Sequence, residues 1–297
     1  MHHLSDVTQI HLKPSRISSI RTLKCIILPL VLFTFLSICN TSILSGAIPY
    51  LIENMYEVII HNSSSGSDHF YQCIAVIVEF RRVDLLVTVV HNINHHIPST
   101  WPIQIFHGKD NENFIKNSTL APLIKSEKVF LNLIGRTYTS EQYNILLTNP
   151  KFWQQVRGEK VLIFQIDSVM CSTSPHKVTD FLQYDYVGAP WSPIMKFDDR
   201  YRVGNGGFSL RSRSKTLSLL ALHRLNFGRH EDVWYARNLH RVNGSIPSIE
   251  IAKTFSVESV YYPRPVGVHR YPWTCRFRTS LAKTCPESKL IMSRQCS

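Results

Sequence analysis

Carboxylates, one histidine and a glycine cluster are the groups in this chain whose order suggests chemistry. The apolar run in VLIFQIDS ends on Asp167, and the glycine-rich stretch GNGG occupies 204–207. Glu231 and Asp232 then open a helical pattern, and His269 follows a Val-Gly-Val run. In sheets of parallel strands, ligands bind beyond the carboxyl ends of the strands. Asp167 is therefore either a turn residue that ends a strand or a ligand-binding residue.

The glycine stretch predicts a loop whose backbone another group can approach closely. Its spacing matches neither the dinucleotide fingerprint nor the phosphate-binding P-loop, so a Rossmann cofactor and an NTPase are not indicated. Three glycines among four residues allow positive φ angles and leave room for a sugar or phosphate to lie against the backbone. A plain hairpin turn is the alternative interpretation.

Glu231, Asp232 and His269 have ordinary structural interpretations as well as catalytic ones. Acids in the first turn of a helix commonly cap it and interact with its dipole. A carboxylate beside a glycine loop is also placed to take a proton from a hydroxyl group. A single histidine is usually a packed or surface residue, but imidazole also suits a transition-metal ion held together with a carboxylate.

Alternating strand and helix patterns position these groups. Apolar runs predict strands at 73–80, 102–108, 128–134 and in the stretch before Asp167, and helical spacing appears between them. A break at Pro150 divides the pattern from 139 to 156 into one or two helices. This alternation predicts an α/β domain with a mainly parallel sheet. It places Glu79, His107 and Asp110 with Asp167 near the strand ends.

The first 69 residues differ from the remainder. No charged residue occurs from Cys25 to Ile52, and Lys13, Arg16, Arg21 and Lys24 precede this stretch. A span of about 20 apolar residues crosses a bilayer, and the flanking positive charge favours a cytoplasmic N-terminus. We therefore predict a basic cytoplasmic tail at 1–24, a transmembrane signal anchor at 25–47 and a spacer at 48–69. A cleaved signal peptide or a buried helix is the alternative.

Glycosylation sequons and cysteines agree with a translocated domain. Sequons begin at Asn62, Asn117 and Asn243, and another at Asn40 lies close to the predicted membrane span. Five cysteines follow the predicted anchor, namely Cys73, Cys171, Cys275, Cys285 and Cys296. In an oxidising lumen some of them can pair, and Cys275–Cys285 would close the shortest loop. No Cys-x-x-Cys or Cys/His spacing typical of a zinc site occurs.

Composition excludes several classes of protein. The 297 residues are 44% hydrophobic and 18% charged, which is a globular balance without repeats or low-complexity tracts. The formal net charge is +12, but the basic residues are scattered, without a basic arm or helical stripe. We therefore expect no nucleic-acid partner. The charge reflects either a solvated basic face or a pocket for an anionic ligand.

Longer strings resemble a known family. The order of strand with acid, glycine loop, Glu-Asp pair and C-terminal histidine resembles the shared core of GT-A glycosyltransferases. The strings FQIDS, YDYVGAPW, GNGGFSLRSRS and GVH followed by PW are similar to the family catalogued as domain-of-unknown-function 5672. AVIVEF and WPIQIFHGKDNENFI extend the resemblance to about 70–275. A GT-A-like domain at 70–275 and a C-terminal tail at 276–297 are therefore expected, with the mainly parallel sheet flanked by helices.

The resemblance implies roles for individual residues. Asp167 takes the place of the last acid of an Asp-x-Asp motif that holds a divalent cation on the donor diphosphate, and His269 is the late metal or diphosphate ligand. Gln165 stands where the motif has its first acid, which puts dependence on Mn²⁺ or Mg²⁺ in doubt because a neutral amide attracts a hard cation less strongly. Asp232 is the implied catalytic base, with Glu231 as its substitute. The residues implied to bind donor or acceptor are Glu79, Arg81, Gln165, Asp167, Ser168, Trp191, Asn205, Gly206, Gly207, Phe208 and Arg211.

The function that the resemblance implies is glycosyl transfer from a nucleotide sugar to an acceptor hydroxyl on a glycan, glycoprotein or lipid. Transfer is expected to invert the sugar and to take place in the lumen of the Golgi or endoplasmic reticulum, with 25–47 in the bilayer. Arg211 and Arg213 are candidates for compensating diphosphate charge, although exposed arginines are commonly just solvated. The alternatives are a retaining transferase, or a non-catalytic lectin-like or scaffold protein on the same fold, which Gln165 favours.

Overall fold

The computed structural model describes residues 69–135, 140–195, 198, 201–222, 230–270 and 275–291. The predicted tail and signal anchor, and the predicted spacer up to residue 68, lie outside these ranges. Of the helices that are described, none combines the length and the apolar character needed to cross a bilayer.

A six-stranded sheet forms the centre of the domain. Its spatial order is β3-β2-β1-β4-β7-β6. The neighbours from β3 to β4 run parallel, whereas β7 runs antiparallel to both β4 and β6. The predicted mixed α/β architecture with a mainly parallel sheet is therefore confirmed. The strands are β1 (Tyr71–Glu79), β2 (Ile103–His107), β3 (Val129–Leu133), β4 (Gly158–Phe164), β6 (Tyr186–Gly188) and β7 (Phe208–Ser212).

Helices cover both faces of this sheet. They are α1 (Asp84–His96), α2 (Glu112–Lys116), α3 (Ala121–Lys125), α4 (Ser140–Leu147), α5 (Pro150–Gln155), α6 (Arg213–Leu222), α7 (Glu231–Asn238), α8 (Ile249–Phe255) and α9 (Cys275–Thr284). Short 3₁₀ helices occur at Val178–Phe181, Pro193–Met195, Leu239–Val242 and Pro286–Ile291. Pro150 begins α5, as its effect on the preceding helix predicts.

Alternating side chains of the central strands bury the sheet on both sides. In β4, Leu162 and Phe164 point into one core cluster, and Val161 and Ile163 into the other. All four are at most 1% exposed. A strand buried on both faces reads as a continuous apolar run, and this explains why β4 is so evident in the sequence.

A second sheet of three short strands has the order β5-β9-β8. It contains β5 (Ser168–Met170), β8 (Ser256–Val257) and β9 (Gly267–His269), and β9 is antiparallel to β5 and parallel to β8. Asn92 of α1 anchors this sheet, since its side chain donates to the Met170 carbonyl at 3.0 Å and accepts from the Met170 amide at 2.7 Å. The sequence did not predict this sheet.

A disulfide joins the C-terminal helices to β5. Cys171, the residue after β5, pairs with Cys285, which follows α9. The sequence left the pairing open, and the fold brings Cys171 to Cys285 although Cys275–Cys285 would close a shorter loop. Cys73 is a free thiol. Leu281 and Cys285 are fully buried, so the segment after the predicted boundary at 275 packs against the domain core.

Candidate functional site

Three chemically active side chains line up at one end of the small sheet. Asp167 precedes β5, His269 ends β9, and Glu258 directly follows β8. Ser168 pairs with His269 across the antiparallel strands, and Val257 pairs with Val268 across the parallel strands. The strand order β5-β9-β8 therefore places the imidazole between two carboxylates.

Asp167 is held by cationic and polar groups. Its Oδ1 lies 3.4 Å from His269 Nε2, and its Oδ2 lies 3.4 Å from Arg270 Nε. Gln165 Oε1 lies 3.2 Å from the same histidine nitrogen. Burial acts to raise the pKa of Asp167, but the hydrogen bond and charge of His269 and the charge of Arg270 outweigh it, so the pKa is lower than usual. Asp167 is thus an anionic group at the carboxyl end of β4.

The glycine turn brings the end of β4 against His269. The Gln165 amide donates to the Gly207 carbonyl at 2.9 Å, and the Gly207 amide donates to Asn205 Oδ1 at 2.7 Å. A Cβ on Gly207 would lie 2.0 Å from His269 Nε2, so only glycine permits this approach. The glycine stretch is therefore not merely a free surface turn, because it packs on the imidazole.

The preceding glycine contacts the second catalytic candidate. The Gly206 amide donates to Asp232 Oδ2 at 3.1 Å, and the Val233 amide donates to Asp232 Oδ1 at 2.7 Å. Burial and the neighbouring Glu231 charge raise the pKa of Asp232 to about 6, although both backbone bonds and Arg211 act to lower it. A carboxyl group that titrates near 6 can hold a proton taken from a hydroxyl group and release it near neutral pH.

Glu231 is already paired. Arg211 Nη1 donates to its Oε2 at 2.8 Å, and Arg211 Nη2 donates to its Oε1 at 3.0 Å. The Arg211 guanidinium is fully buried, 5.1 Å from the ring centres of both Tyr186 and Tyr235. In this arrangement Arg211 does not face solvent and Glu231 has no free oxygen edge. The predicted charge compensation by Arg211 and the predicted substitute base therefore lack access to a ligand, and Asp232 is the better placed acid.

At the end of β1, the Glu79 carboxylate is hydrogen-bonded to the two residues that follow it. Glu79 Oε1 accepts from the Phe80 and Arg81 amides at 2.9 Å, and its Oε2 accepts from Arg81 Nη2 at 2.7 Å. The hydrogen bond to Glu79 raises the pKa of Arg81, and the charges of Glu79 and Asp167 act in the same direction. His107 is buried, and burial lowers its pKa. Asp110 lies on the surface at the end of the neighbouring strand.

The remaining predicted residues are buried beside the site or lie away from it. Ser168 is fully buried, and its hydroxyl donates to the Gln165 carbonyl at 2.6 Å. Phe208 packs against the Phe255 ring, with 5.3 Å between ring centres. Trp191 is 4% exposed and lies in a core cluster, which limits its use as a stacking surface for a sugar. Arg213 donates from Nε to the Trp153 carbonyl at 2.8 Å, away from these groups.

Sequence reasoning missed three residues of the site. Glu258 lies 3.8 Å from His269 Nδ1, Arg270 contacts Asp167, and Tyr143 of α4 has a buried hydroxyl near Gln165 that makes no hydrogen bond among the described residues. Burial raises the pKa of Glu258, and His269 acts against that shift. A two-residue strand before Glu258 gives no periodic signal, so no pattern identified it. Arg270 directly follows His269, and that adjacency was the one available clue.

The donor set suits a divalent cation only in part. Asp167 and His269 offer oxygen and nitrogen ligands, and Gln165 offers a neutral amide oxygen beside them. Within the described residues, no three or more His, Cys, Asp or Glu side chains converge as a metal-binding group. These residues could hold a divalent cation only together with ligands from outside the described side chains.

Comparison with a family model confirms the resemblance seen in the sequence. The model described as "Protein of unknown function (DUF5672)" matches residues 131–269. This is just under half of the chain, and it runs from β3 to His269, so it includes Asp167, the glycine turn and Asp232. The stretch 70–130, which the resemblance was expected to include, lies outside the match. Comparison with curated proteins gave no match.

Solved structures with a similar fold include three bacterial or archaeal proteins. S. aureus TarS residues 1–349 has a TM-score of 0.45 at 9% identity, covering 67% of this chain and 60% of that one. Mannosyltransferase PcManGT from Pyrobaculum calidifontis, in complex with GDP-Man and Mn²⁺, has 0.46 at 11%, covering 84% and 73%. Apo-form glycosyltransferase GlyE of Streptococcus pneumoniae TIGR4 has 0.42 at 14%, covering 72% and 60%. The chain therefore spans 60% of the length of TarS and GlyE. These scores support no conclusion about activity.

Proposed function

We propose that this chain is a glycosyltransferase that moves a sugar from a nucleoside diphosphate sugar to an acceptor hydroxyl, with Asp232 as the base. The observation that carries the proposal is the glycine turn, because the Gly206 amide donates a hydrogen bond to Asp232 and Gly207 packs against the His269 ring. Two adjacent glycines thus bring Asp232, whose pKa is raised, and His269, which lies beside Asp167, into one site.

The Asp167 end of the site is where the diphosphate binds. Arg270 and Arg81 are 73% and 65% exposed, so both guanidinium groups can turn toward phosphate oxygens. Asp167 and His269 would hold a divalent cation, which when bound supplies positive charge to the departing diphosphate. With Gln165 in place of a second acid, the two arginines take a larger share of this compensation than in a site with two carboxylates.

The Asp232 end is where the acceptor hydroxyl loses its proton. As the hydroxyl oxygen bonds to the anomeric carbon, the proton passes to Asp232. The bond from that carbon to the diphosphate oxygen breaks, and the nucleoside diphosphate leaves with the electron pair. Attack on the face opposite the leaving group inverts the anomeric centre. Glu231 does not take part directly, because Arg211 holds both of its oxygens.

A donor screen tests the proposal. The full chain is incubated with a panel of nucleotide sugars and with glycan, protein and lipid acceptors, and products are identified by mass. Calorimetry with uridine and guanosine diphosphates, with and without Mn²⁺, measures binding independently of turnover. Failure of every nucleoside diphosphate to bind under any condition would exclude the enzyme and leave the lectin-like alternative.

Asp232→Asn separates the base from a donor-holding residue. General-base catalysis contributes about 10²–10⁴-fold, so turnover falls by that factor while nucleoside diphosphate affinity stays within about twofold. Asp84→Asn is the matched control, since Asp84 is an exposed acid in the first turn of α1. Equal loss of donor binding and turnover in Asp232→Asn would assign this residue to donor binding, as a retaining transferase requires.

The proposed cell location is the lumen of the Golgi or endoplasmic reticulum, with 25–47 as a type II signal anchor. The Cys171–Cys285 disulfide supports an oxidising compartment, and the exposed sequon residues Asn117 and Asn243 are accessible for glycosylation. Protease protection of microsomes tests this topology. Digestion of the domain in sealed vesicles would contradict it.

A further inference from the structure

His269 has a carboxylate on each side. On its Nε2 side lie Asp167 Oδ1 at 3.4 Å and Gln165 Oε1 at 3.2 Å. On its Nδ1 side lies Glu258 Oε1 at 3.8 Å. The neighbouring strands impose this arrangement, because β9 carries the histidine between the start of β5 and the end of β8.

The Nδ1 side of the ring is closed to solvent. The His269 side chain is 4% exposed, and its Nδ1 is a buried atom with no hydrogen-bond partner within 3.5 Å among the described residues. A buried polar atom costs free energy when it lacks a partner. Within the described part of the chain, the one ion-pair contact of Glu258 is with His269. Among the described residues, His269 Nδ1 and the Glu258 carboxylate are therefore the nearest ion-pair partners of each other.

We propose that Glu258 is a positioning residue for His269. Its carboxylate accepts a hydrogen bond from Nδ1–H, so the proton stays on Nδ1 and the Nε2 lone pair faces Asp167. This inference rests on the proposed function, in which Nε2 faces the donor diphosphate and its cation. A histidine that binds a metal through one nitrogen typically donates its other N–H to a carboxylate, which fixes the tautomer and makes the ligand more basic.

Two further contacts of His269 agree with this tautomer, whereas Asp167 Oδ1, which only accepts hydrogen bonds, competes for a proton on Nε2. Gly207 lies directly against the ring and prevents it from turning on that side. The amide of Gln165 can turn over so that its N–H donates to an unprotonated Nε2, since amide oxygen and nitrogen exchange positions by rotation. Gln165 thereby gains a role that a second aspartate could not fill, because an ionised carboxylate only accepts hydrogen bonds.

Nuclear magnetic resonance of ¹⁵N-histidine-labelled full chain reports the tautomer directly. The chain has 14 histidines, so His269→Gln identifies the signals of interest by their loss. Spectra are recorded at about pH 8.5, two units above the ordinary histidine pKa of about 6.5. The wild-type protein is expected to carry its proton on Nδ1 of His269, and Glu258→Leu is expected to move it to Nε2. A proton on Nε2 in the wild type, or a proton that remains on Nδ1 in Glu258→Leu, would overturn the proposal.

Calorimetry of Mn²⁺ in the presence of a nucleoside diphosphate gives the second readout. Loss of such an outer carboxylate typically weakens metal binding 10–100-fold, so Glu258→Leu should weaken Mn²⁺ binding by about that factor. Glu250→Leu is the matched control, because the Glu250 side chain is 77% exposed on α8. The Mn²⁺ affinity of this variant should equal that of the wild type. Equal Mn²⁺ affinity in wild type and Glu258→Leu would refute the positioning role.

Glu258→Gln keeps the shape of the side chain if the leucine variant does not fold. Its amide oxygen can still accept the Nδ1 proton, so the tautomer should persist while Mn²⁺ binding falls to an intermediate value. Affinity equal to the wild type in this variant would also count against Glu258. If no nucleoside diphosphate binds to any form, the proposed function fails, whereas the tautomer measurement still decides the role of Glu258.

Discussion

The buried Arg211–Glu231 pair gives the sharpest test of how the site is held together. The two side chains are 0% and 5% exposed, and the closer contact is 2.8 Å. At that separation and an effective dielectric constant of about 20, the Coulomb attraction is about 6 kcal/mol before desolvation is considered. Replacing one partner of such a pair leaves an uncompensated buried charge and costs about 3–5 kcal/mol. Glu231→Gln should therefore lower the free energy of unfolding by that amount.

The same change should alter the pH dependence of catalysis. Burial and the Glu231 charge together raise the pKa of Asp232 to about 6, while Arg211 acts in the opposite direction. Without the Glu231 charge, Arg211 stabilises ionised Asp232 unopposed, and the pKa of Asp232 falls. The acid limb of kcat/KM, measured on the best donor of the screen, should move to lower pH.

Urea denaturation and pH–rate profiles check both expectations. Glu250→Gln, at an exposed site, should change stability by less than about 0.5 kcal/mol. The double change Arg211→Met with Glu231→Leu removes both charges and should recover most of the lost stability. A loss below about 1 kcal/mol for Glu231→Gln, or an acid limb that moves to higher pH, would refute this account of the pair.

Three further predictions concern the base, the glycine turn and the disulfide. Because the folded-state pKa of Asp232 is raised from 3.8 to about 6, its ionisation costs stability between those values. Relative to the wild type, Asp232→Asn should gain about 2 kcal/mol as pH rises from 4 to 6 in urea denaturation, and a constant difference would contradict this. Gly207→Ala places a methyl group 2.0 Å from His269 Nε2 and should abolish nucleoside diphosphate binding in calorimetry, whereas unchanged affinity would mean that the turn and ring do not touch in solution. Replacing Cys171 and Cys285 by serine opens a loop with a sequence separation of 114 and should lower the free energy of unfolding by about 2–5 kcal/mol, with no further loss on adding reductant.

Local sequence patterns were sufficient for four of the six strands of the main sheet. Three of these strands, β1, β2 and β4, are buried along most of their length, and β3 at the edge of the sheet is mostly half-buried. The bounds of all four agree with the prediction within a few residues. The carboxyl ends of these strands follow directly, so Asp167 was placed correctly at the end of β4. Order along the chain also identified the glycine turn and Asp232 as neighbours of such an end.

The small sheet could not be predicted in the same way. Strands of two or three residues show no period, and the pairing of β5 with β9 joins segments about 100 residues apart, such as Val169 and Val268. Glu258 and Arg270 reach the site only through this sheet. The sequence left the disulfide pairing open for a related reason, because loop length does not show which cysteines the folded chain brings together.

By itself, the sequence of this protein determined where a mainly parallel sheet forms and which side chains stand at its strand ends, because strand burial is recorded in local apolar periodicity. Only the tertiary structure decided what each charged group does. It paired Glu231 with Arg211, held Asp232 by two backbone amides, and set His269 between Asp167 and Glu258. A charge takes its role from the partners and burial around it, and those come from residues distant in the chain.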